Sequence, residues 1–505
     1  MLFNSFSYLI FFPIVVLMYF AIPYKARYLW LLAASYYFYM AWNPKYALLM
    51  ALSTVITYMS GLLIGRETRL TSTIEADSRT YRYAVFRKKL WVFLSMVSNL
   101  SILFLFKYFD FFIDNVNRVL GHLGMELLNP TFDVIFPVGI SFYTFQALSY
   151  TMDVYRGEIY VEKNLFKYAL FVSLFPQLVA GPIERSKNLL VQINRRHTFD
   201  YERVKNGLLL MLWGFFLKLV IADRVAVIVN TVYNGYTNYH GLILAVATLF
   251  FGIQIYCDFY AYSLIAKGSA QVMGFRLMDN FKQPYFSRSI GEFWHRWHIS
   301  LSTWFRDYLY IPLGGNRKST LRKYINVMIV FLVSGLWHGA NWTFIIWGFL
   351  HGSFQVIGQI TRPLKVRITD LLGIDREKTS YKLGQMLITY LLANFAWIFF
   401  RAPGFTAAKG IIKNMFSVWN PWVFTDGSFY NLGLSVGSFW VGIISILILM
   451  GVSVAQYRGI RIRERFAKQG LIFRWTVTLG LIFSIILFGI YGPGYNANEF
   501  IYFQF

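Results

Sequence analysis

Six stretches of this chain run for 20 residues or more without one Asp, Glu, Lys or Arg. They are Met1–Tyr24, Tyr46–Gly65, Val225–Cys257, Tyr324–Thr361, Gly427–Tyr457 and Trp475–Asn498, and Tyr324–Thr361 reaches 38 residues. A helix needs about 20 apolar residues to cross a bilayer. Lipid offers nothing to an unpaired backbone group, so such runs must fold as spanning helices. The chain of 505 residues is therefore predicted to be an all-α, polytopic integral membrane protein. Its composition agrees, with 57% hydrophobic and only 14% charged residues, where soluble domains carry about a quarter charged.

The net charge of +24 would suggest nucleic acid in a soluble protein. Here the cations sit in short segments between apolar runs, which points to membrane lipids and topology, with no nucleic-acid partner. Seven Lys/Arg fall in Arg66–Lys89, six in Arg185–Lys205, four in Arg317–Lys323, and six each in Arg362–Lys382 and Arg458–Arg474. The segment Lys107–Asp133 instead carries four acids against two bases. Basic segments belong on the cytoplasmic side, so the N-terminus is expected outside. Spans are expected near 5–24, 29–44, 46–65, 90–106, 134–152, 206–222, 241–262, 324–340, 342–361, 383–400, 435–457 and 472–491. The first has no basic region ahead of Lys25, so it reads as a retained span and not a cleaved signal. The run 169–183 is short, contains Pro176 and leads into a basic segment, so it is expected to be re-entrant. One membrane domain, residues 1–505, accounts for the whole. The single cysteine, Cys257, excludes an intrachain disulfide and a Cys-rich metal site, and no metal site is expected. No phosphate-loop motif occurs, so the chain carries no nucleotide motor of that type.

Against this apolar background stands FWHRWHISLSTWFRDYLYIPLGGNR, Phe293–Arg317. Ser289 and Glu292 have the form of a capping box, predicting a helix that runs on until Pro312, Gly314 and Gly315. Trp294, Trp297, Leu301, Trp304 and Tyr308 would share one aromatic face, with His298 and Ser302 on a neighbouring one. Arg306 and Asp307 would lie on other parts of its surface. Such a helix is expected to lie in the membrane interface, over 289–315. The second motif, SGLWHGANWTFIIWGFLHG, covers Ser334–Gly352. His338 lies in the longest charge-free run, where an ionisable group marks function by default and a neutral ring nitrogen can accept a proton. His351 reads as structural. Asp258, an intramembrane acid, is expected to pair with an arginine of the interfacial helix or to orient a histidine.

These two motifs, together with FPVGISFYTFQALSYTMDVYRG (136–157), FPQLVAGPIER (175–185) and the terminal FIYFQF (500–505), resemble the membrane-bound O-acyltransferase family. The likeness is to its bacterial alginate O-acetylation branch and, more distantly, to the D-alanyl transfer proteins of teichoic acid synthesis. The resemblance implies a ring of helices around a central channel, with His338 as catalytic base and His298 as the second signature histidine. Trp337, Asn341, Trp294, Trp297, Ser302, Arg306 and Asp307 are the candidates for lining the substrate path. It further implies that Tyr502, in the aromatic tail 492–505, could receive the acyl group and present it outside. An acetyl group would come from a cytoplasmic thioester, acetyl-CoA or an acyl-carrier protein, with no permanently bound cofactor. It would reach a polysaccharide such as alginate through a separate periplasmic or surface acetyltransferase. The implied location is the bacterial inner membrane. A proton-coupled transporter or flippase using buried His and Asp is the alternative.

Overall fold

A computed structural model describes residues 1–76, 78–130, 137–179 and 181–491. Among the described residues there is no strand. Seven helices are long and apolar enough to cross a membrane: Pro44–Thr73, Arg79–His122, Leu242–Met273, Thr320–His338, Thr379–Arg401, Val436–Tyr457 and Leu471–Phe488. Shorter or less apolar helices, Phe6–Ala21, Arg27–Met40, Ile140–Arg156, Tyr201–Phe215 and Trp342–Ile360, occupy the other predicted spans. The chain is an all-α polytopic membrane protein. Its outward side chains agree, since Phe6, Leu48, Leu447 and Ile472 are all exposed, as lipid contact allows and water does not favour.

Two compact units divide the chain, Met1–Leu208 with Ile265–Met278, and Leu209–Leu264 with Asp279 onward. In the first unit, Ser5, Asn43, Ser78 and Asn164 cap the helices that follow them by accepting backbone N–H bonds; each satisfies donors a helix start leaves open. Helix Ile140–Arg156 is buried on nearly every face. Its Tyr150 ring occupies the space beside Gly61, where a Cβ would meet it at 2.6 Å. In the stretch expected to be re-entrant, two short helices, Leu165–Ser173 and Phe175–Leu178, meet at a break at Leu174. The break frees backbone groups deep in protein, and side chains take them up: Ser35 Oγ accepts from Phe175 N at 3.1 Å, while Gln146 and Gln177 both donate to the Phe171 carbonyl.

The helix that holds the expected span 90–106 is longer than that span at both ends. Helix Arg79–Leu103 passes through a widened turn at Phe104–Tyr108 and continues as Phe109–His122. The 44 residues reach about 66 Å at 1.5 Å per residue, well beyond a hydrocarbon core of about 30 Å.

The second unit holds a cluster of buried ions. Lys218 Nζ lies 2.8 Å from Asp223 Oδ1 and 2.7 Å from Asp258 Oδ1, with all three side chains buried. The cation on Asp258 is thus Lys218, not an arginine of the 289–315 segment as the sequence suggested; the pairing spans 40 positions of chain, which no local pattern reveals. Arg224 donates to Val220 O and Phe488 O at 2.6 Å and to Ser438 Oγ at 3.0 Å, tying three helical segments together.

The single helix expected from Ser289 to Pro312 is not formed. Helix Ile290–Arg296 starts as predicted, with Ser289 Oγ accepting from Glu292 N at 3.1 Å. It stops at Trp297, and a second helix, Ile299–Phe305, begins after His298, whose φ is +43°. A wider turn, Arg306–Tyr310, follows. Gly314 and Gly315 then take positive φ, and the buried Asn326 side chain holds the Gly315 carbonyl at 3.0 Å.

Candidate active site

The second unit brings His298 and His338 together, their ring centroids 6.5 Å apart. Two different constructions put them there. His338 is the last residue of helix Thr320–His338, and Asn341 caps the returning helix Trp342–Ile360 by accepting from Thr343 N at 3.0 Å. The two helices press backbone to backbone. A Cβ on Gly335 would lie 2.2 Å from Phe344 O, and one on Gly348 would lie 2.2 Å from Phe331 O. Small residues permit such close approach in membrane helices. Gly335–Gly339 and Gly348–Gly352 are both G-x-x-H-G, so each helix offers a glycine face with a histidine on the adjoining one.

His298 is placed by a break in the backbone. A left-handed conformation is uncommon for a non-glycine residue, and it is held here by Asn280. The Asn280 carbonyl accepts from Ile299 N at 3.0 Å, its Oδ1 accepts from Ser300 N at 3.3 Å, and its Nδ2 donates to Ser263 Oγ at 3.1 Å. Lys282 N donates to Arg296 O on the near side of the break. His298 is fully buried, its ring edge-on to Phe259 at 4.6 Å. Burial pushes its imidazole down to about 3, so the ring is neutral at physiological pH.

Aromatic rings close around the pair. Trp337, Trp347 and Phe400 stand 5.0, 4.9 and 5.2 Å from the His338 ring, all edge-on. His338 keeps 7% exposure and is the less enclosed of the two. A cage of this kind keeps bulk water away from the two imidazoles it encloses, and imidazole is a group that can act as a base.

The other predicted residues separate into four groups. Trp337 borders both histidines, 6.1 Å from His298. Trp294 and Trp297 are buried nearby, Trp297 against Phe281 and Trp397 at 5.0 and 5.2 Å. Ser302 donates to the Trp297 carbonyl at 3.2 Å. Asn341 is committed to its cap and donates to Pro403 O at 3.4 Å. Arg306 is exposed and pairs with the neighbouring Asp307 at 2.9 Å. Tyr502 lies outside the described residues.

His351, which the sequence reads as structural, packs on the same tryptophans. It is fully buried, and its Nδ1 accepts from Trp294 Nε1 at 3.3 Å. Its ring lies 4.9 Å from that of Trp347. Trp347 therefore stands between His338 and His351. The repeated G-x-x-H-G pattern is the signal that could have found it. Asn280 had no comparable signal.

A family model for the membrane-bound O-acyltransferase family matches residues 18–368. The chain is 38% identical over 463 residues to a probable alginate O-acetylase of Pseudomonas aeruginosa, covering 90% of this chain and 82% of that protein. It is 34% identical over 418 residues to a peptidoglycan O-acetyltransferase of Helicobacter pylori, covering 77% and 73%. A teichoic acid D-alanyltransferase of Streptococcus thermophilus is 30% identical over 280 residues, covering 50% of this chain and 63% of that one.

Proposed function

The chain belongs to the membrane-bound O-acyltransferase family and is an O-acyltransferase, and on that footing we propose that it moves an acetyl group from a cytoplasmic thioester to an extracytoplasmic polysaccharide pathway, with His338 as the base. The donor is acetyl-CoA or an acetylated carrier protein, and the final acceptor a polymer such as alginate. The observation that carries this reading is the convergence of His298 and the less enclosed His338, 6.5 Å apart in an aromatic cage. The His338 imidazole takes the proton of the incoming hydroxyl as its oxygen attacks the thioester carbonyl. The C–S bond breaks, the thiolate leaves with a proton, and the acetyl group is now an oxygen ester.

The hydroxyl is assigned to Tyr502 of the C-terminal tail. A phenol, with a pKa of about 10, is a better leaving group than a sugar alkoxide, so its ester stays activated for the next transfer. A separate periplasmic or surface acetyltransferase then completes delivery to the polymer. The inner membrane of a bacterium, with the N-terminus outside, places the basic segments on the donor side.

The test uses purified protein with radiolabelled acetyl-CoA or an acetylated carrier protein as donor. His338→Ala is expected to lower donor consumption by 100-fold or more, the range a positioned general base supplies. Tyr502→Phe is expected to abolish labelling of the protein itself. Undiminished consumption in His338→Ala would remove His338 from the base role, and undiminished labelling in Tyr502→Phe would remove the tyrosine carrier.

A further inference from the structure

The first unit contains a cavity of about 190 Å³. It lies where the turn after the first helix meets the start of helix Leu165–Ser173 and the end of helix Ser186–Ile193. Four cations line it, Lys25, Arg27, Lys167 and Arg195, and no carboxylate does. Tyr24 and Tyr28 flank them, and Leu31 and Leu170 contribute an apolar part of the wall.

The four cations are not equivalent. Arg27 is built into the fold, its guanidinium donating to the carbonyls of Phe20, Ile22 and His197 at 3.2, 2.9 and 2.7 Å. Those bonds orient it without neutralising it. Lys167 donates to Asn194 Oδ1 at 2.7 Å and lies 5.6 Å from the centre of the Tyr28 ring. Tyr24 donates to the Asn194 carbonyl at 3.0 Å. Glu162, an acid in this network, is taken up by Asn164 N and Asn194 Nδ2, both at 2.9 Å. Lys25 and Arg195 are exposed and have no carboxylate partner among the described residues. Like charges gathered round one space repel each other unless a counter-ion joins them.

We propose that this pocket binds a phosphate ester, with Arg27 and Lys167 as its fixed floor and Lys25 and Arg195 as the arms that close on the anion. Arginine and lysine together suit a phosphate better than a carboxylate-sized ion alone, because guanidinium offers paired donors and ammonium a compact charge. The apolar wall favours an ester carrying carbon chains over a bare inorganic ion. Two sources share this chemistry, an anionic phospholipid headgroup and a soluble phosphorylated cofactor. The proposal does not rest on the acyl-transfer reading and survives its failure.

The experiment titrates the full-length protein, held in phosphatidylcholine nanodiscs, with phosphatidylglycerol in one arm and adenosine 3′,5′-bisphosphate in the other. Retention is read by native mass spectrometry. The test variant is Lys25→Ala/Arg195→Ala, whose side chains are exposed and make no internal bond. The control is Arg461→Ala/Lys468→Ala, an equal loss of surface charge elsewhere. Wild type and control are expected to bind one probe at least tenfold more tightly than the test variant, and the probe that shows the difference identifies the source. Equal affinity of wild type and test variant for both probes overturns the proposal. So does an equal loss in the control, which reduces the effect to bulk charge.

Discussion

The two histidines of the cage are held by opposite means. The hairpin of Thr320–His338 and Trp342–Ile360 positions His338 by regular helices meeting at glycine. The segment 290–305 positions His298 by interrupting a helix. In the first case placement comes from the close approach of two regular helices. In the second it comes from hydrogen bonds to a residue 18 positions upstream. A site built by packing is sensitive to volume. One built by a backbone break is sensitive to the groups that satisfy the freed amides.

Volume should therefore give the largest effect on the hairpin. Gly335→Val puts a branched side chain where even one Cβ meets the Phe344 carbonyl at 2.2 Å. Backbone cannot yield as a side-chain tip can, so the expected loss is about 3 kcal/mol or more, read as a collapse of folded yield in detergent. Gly358→Ala, in the same hairpin but with nothing within 4 Å of its Cβ, is expected to leave yield and melting unchanged. If both behave alike, the helices are not held by the Gly335 contact.

Hydrogen bonds should dominate on the other side. Asn280→Ala keeps the carbonyl that holds Ile299 N but removes the bonds to Ser300 N and Ser263 Oγ. With Ser300 buried, the expected cost is about 2 kcal/mol. Acetyl transfer is expected to fall further than a stability loss of that size explains, because His298 is no longer fixed. Asn280→Asp restores an acceptor and should recover part of the activity. A variant that melts lower but transfers normally would show that the break at His298 holds structure only.

What was legible in the sequence follows the same divide. Charge-free runs located the helices, Ser289 and Glu292 marked a true helix start, and the two motifs named the histidines that the fold brings together. These are local signals. The break at His298 was missed because the aromatic spacing continues across it at helical intervals, while its cause, Asn280, sits in another segment. The Lys218–Asp258 pair was missed for the same reason. His351 reads as structural because no comparable polar neighbours surround it in its own span, and its partner Trp294 lies in another segment.

Proton linkage sharpens the comparison at His298. The folded imidazole titrates near 3 and its ordinary value is 6.5. Below pH 6.5 the unfolded chain binds a proton that the folded one refuses, so this group's contribution to stability falls as pH drops from 6.5 toward 3. The slope is at most about 1.4 kcal/mol per pH unit. His298→Asn does not titrate, and asparagine tolerates the left-handed conformation. Melting curves between pH 7 and 5 should therefore be flatter for the variant than for wild type. Parallel curves would mean that the ring gains a proton without leaving its place.

The smallest effect tests the seam between the two constructions. Trp294 belongs to the interrupted helix, yet its ring packs on Phe331 and Trp347 of the hairpin, at 5.3 and 5.6 Å, and its Nε1 reaches His351. Trp294→Phe keeps an aromatic ring there and removes one buried donor, at a cost of about 1 kcal/mol. Stability should drop slightly, and acetyl transfer by less than tenfold. A much larger loss of transfer at unchanged melting would mean that His351, acting through the Trp347 ring, orients His338. The two regions would then work as one device, and the hairpin's histidine would depend on the broken helix as much as on its glycines.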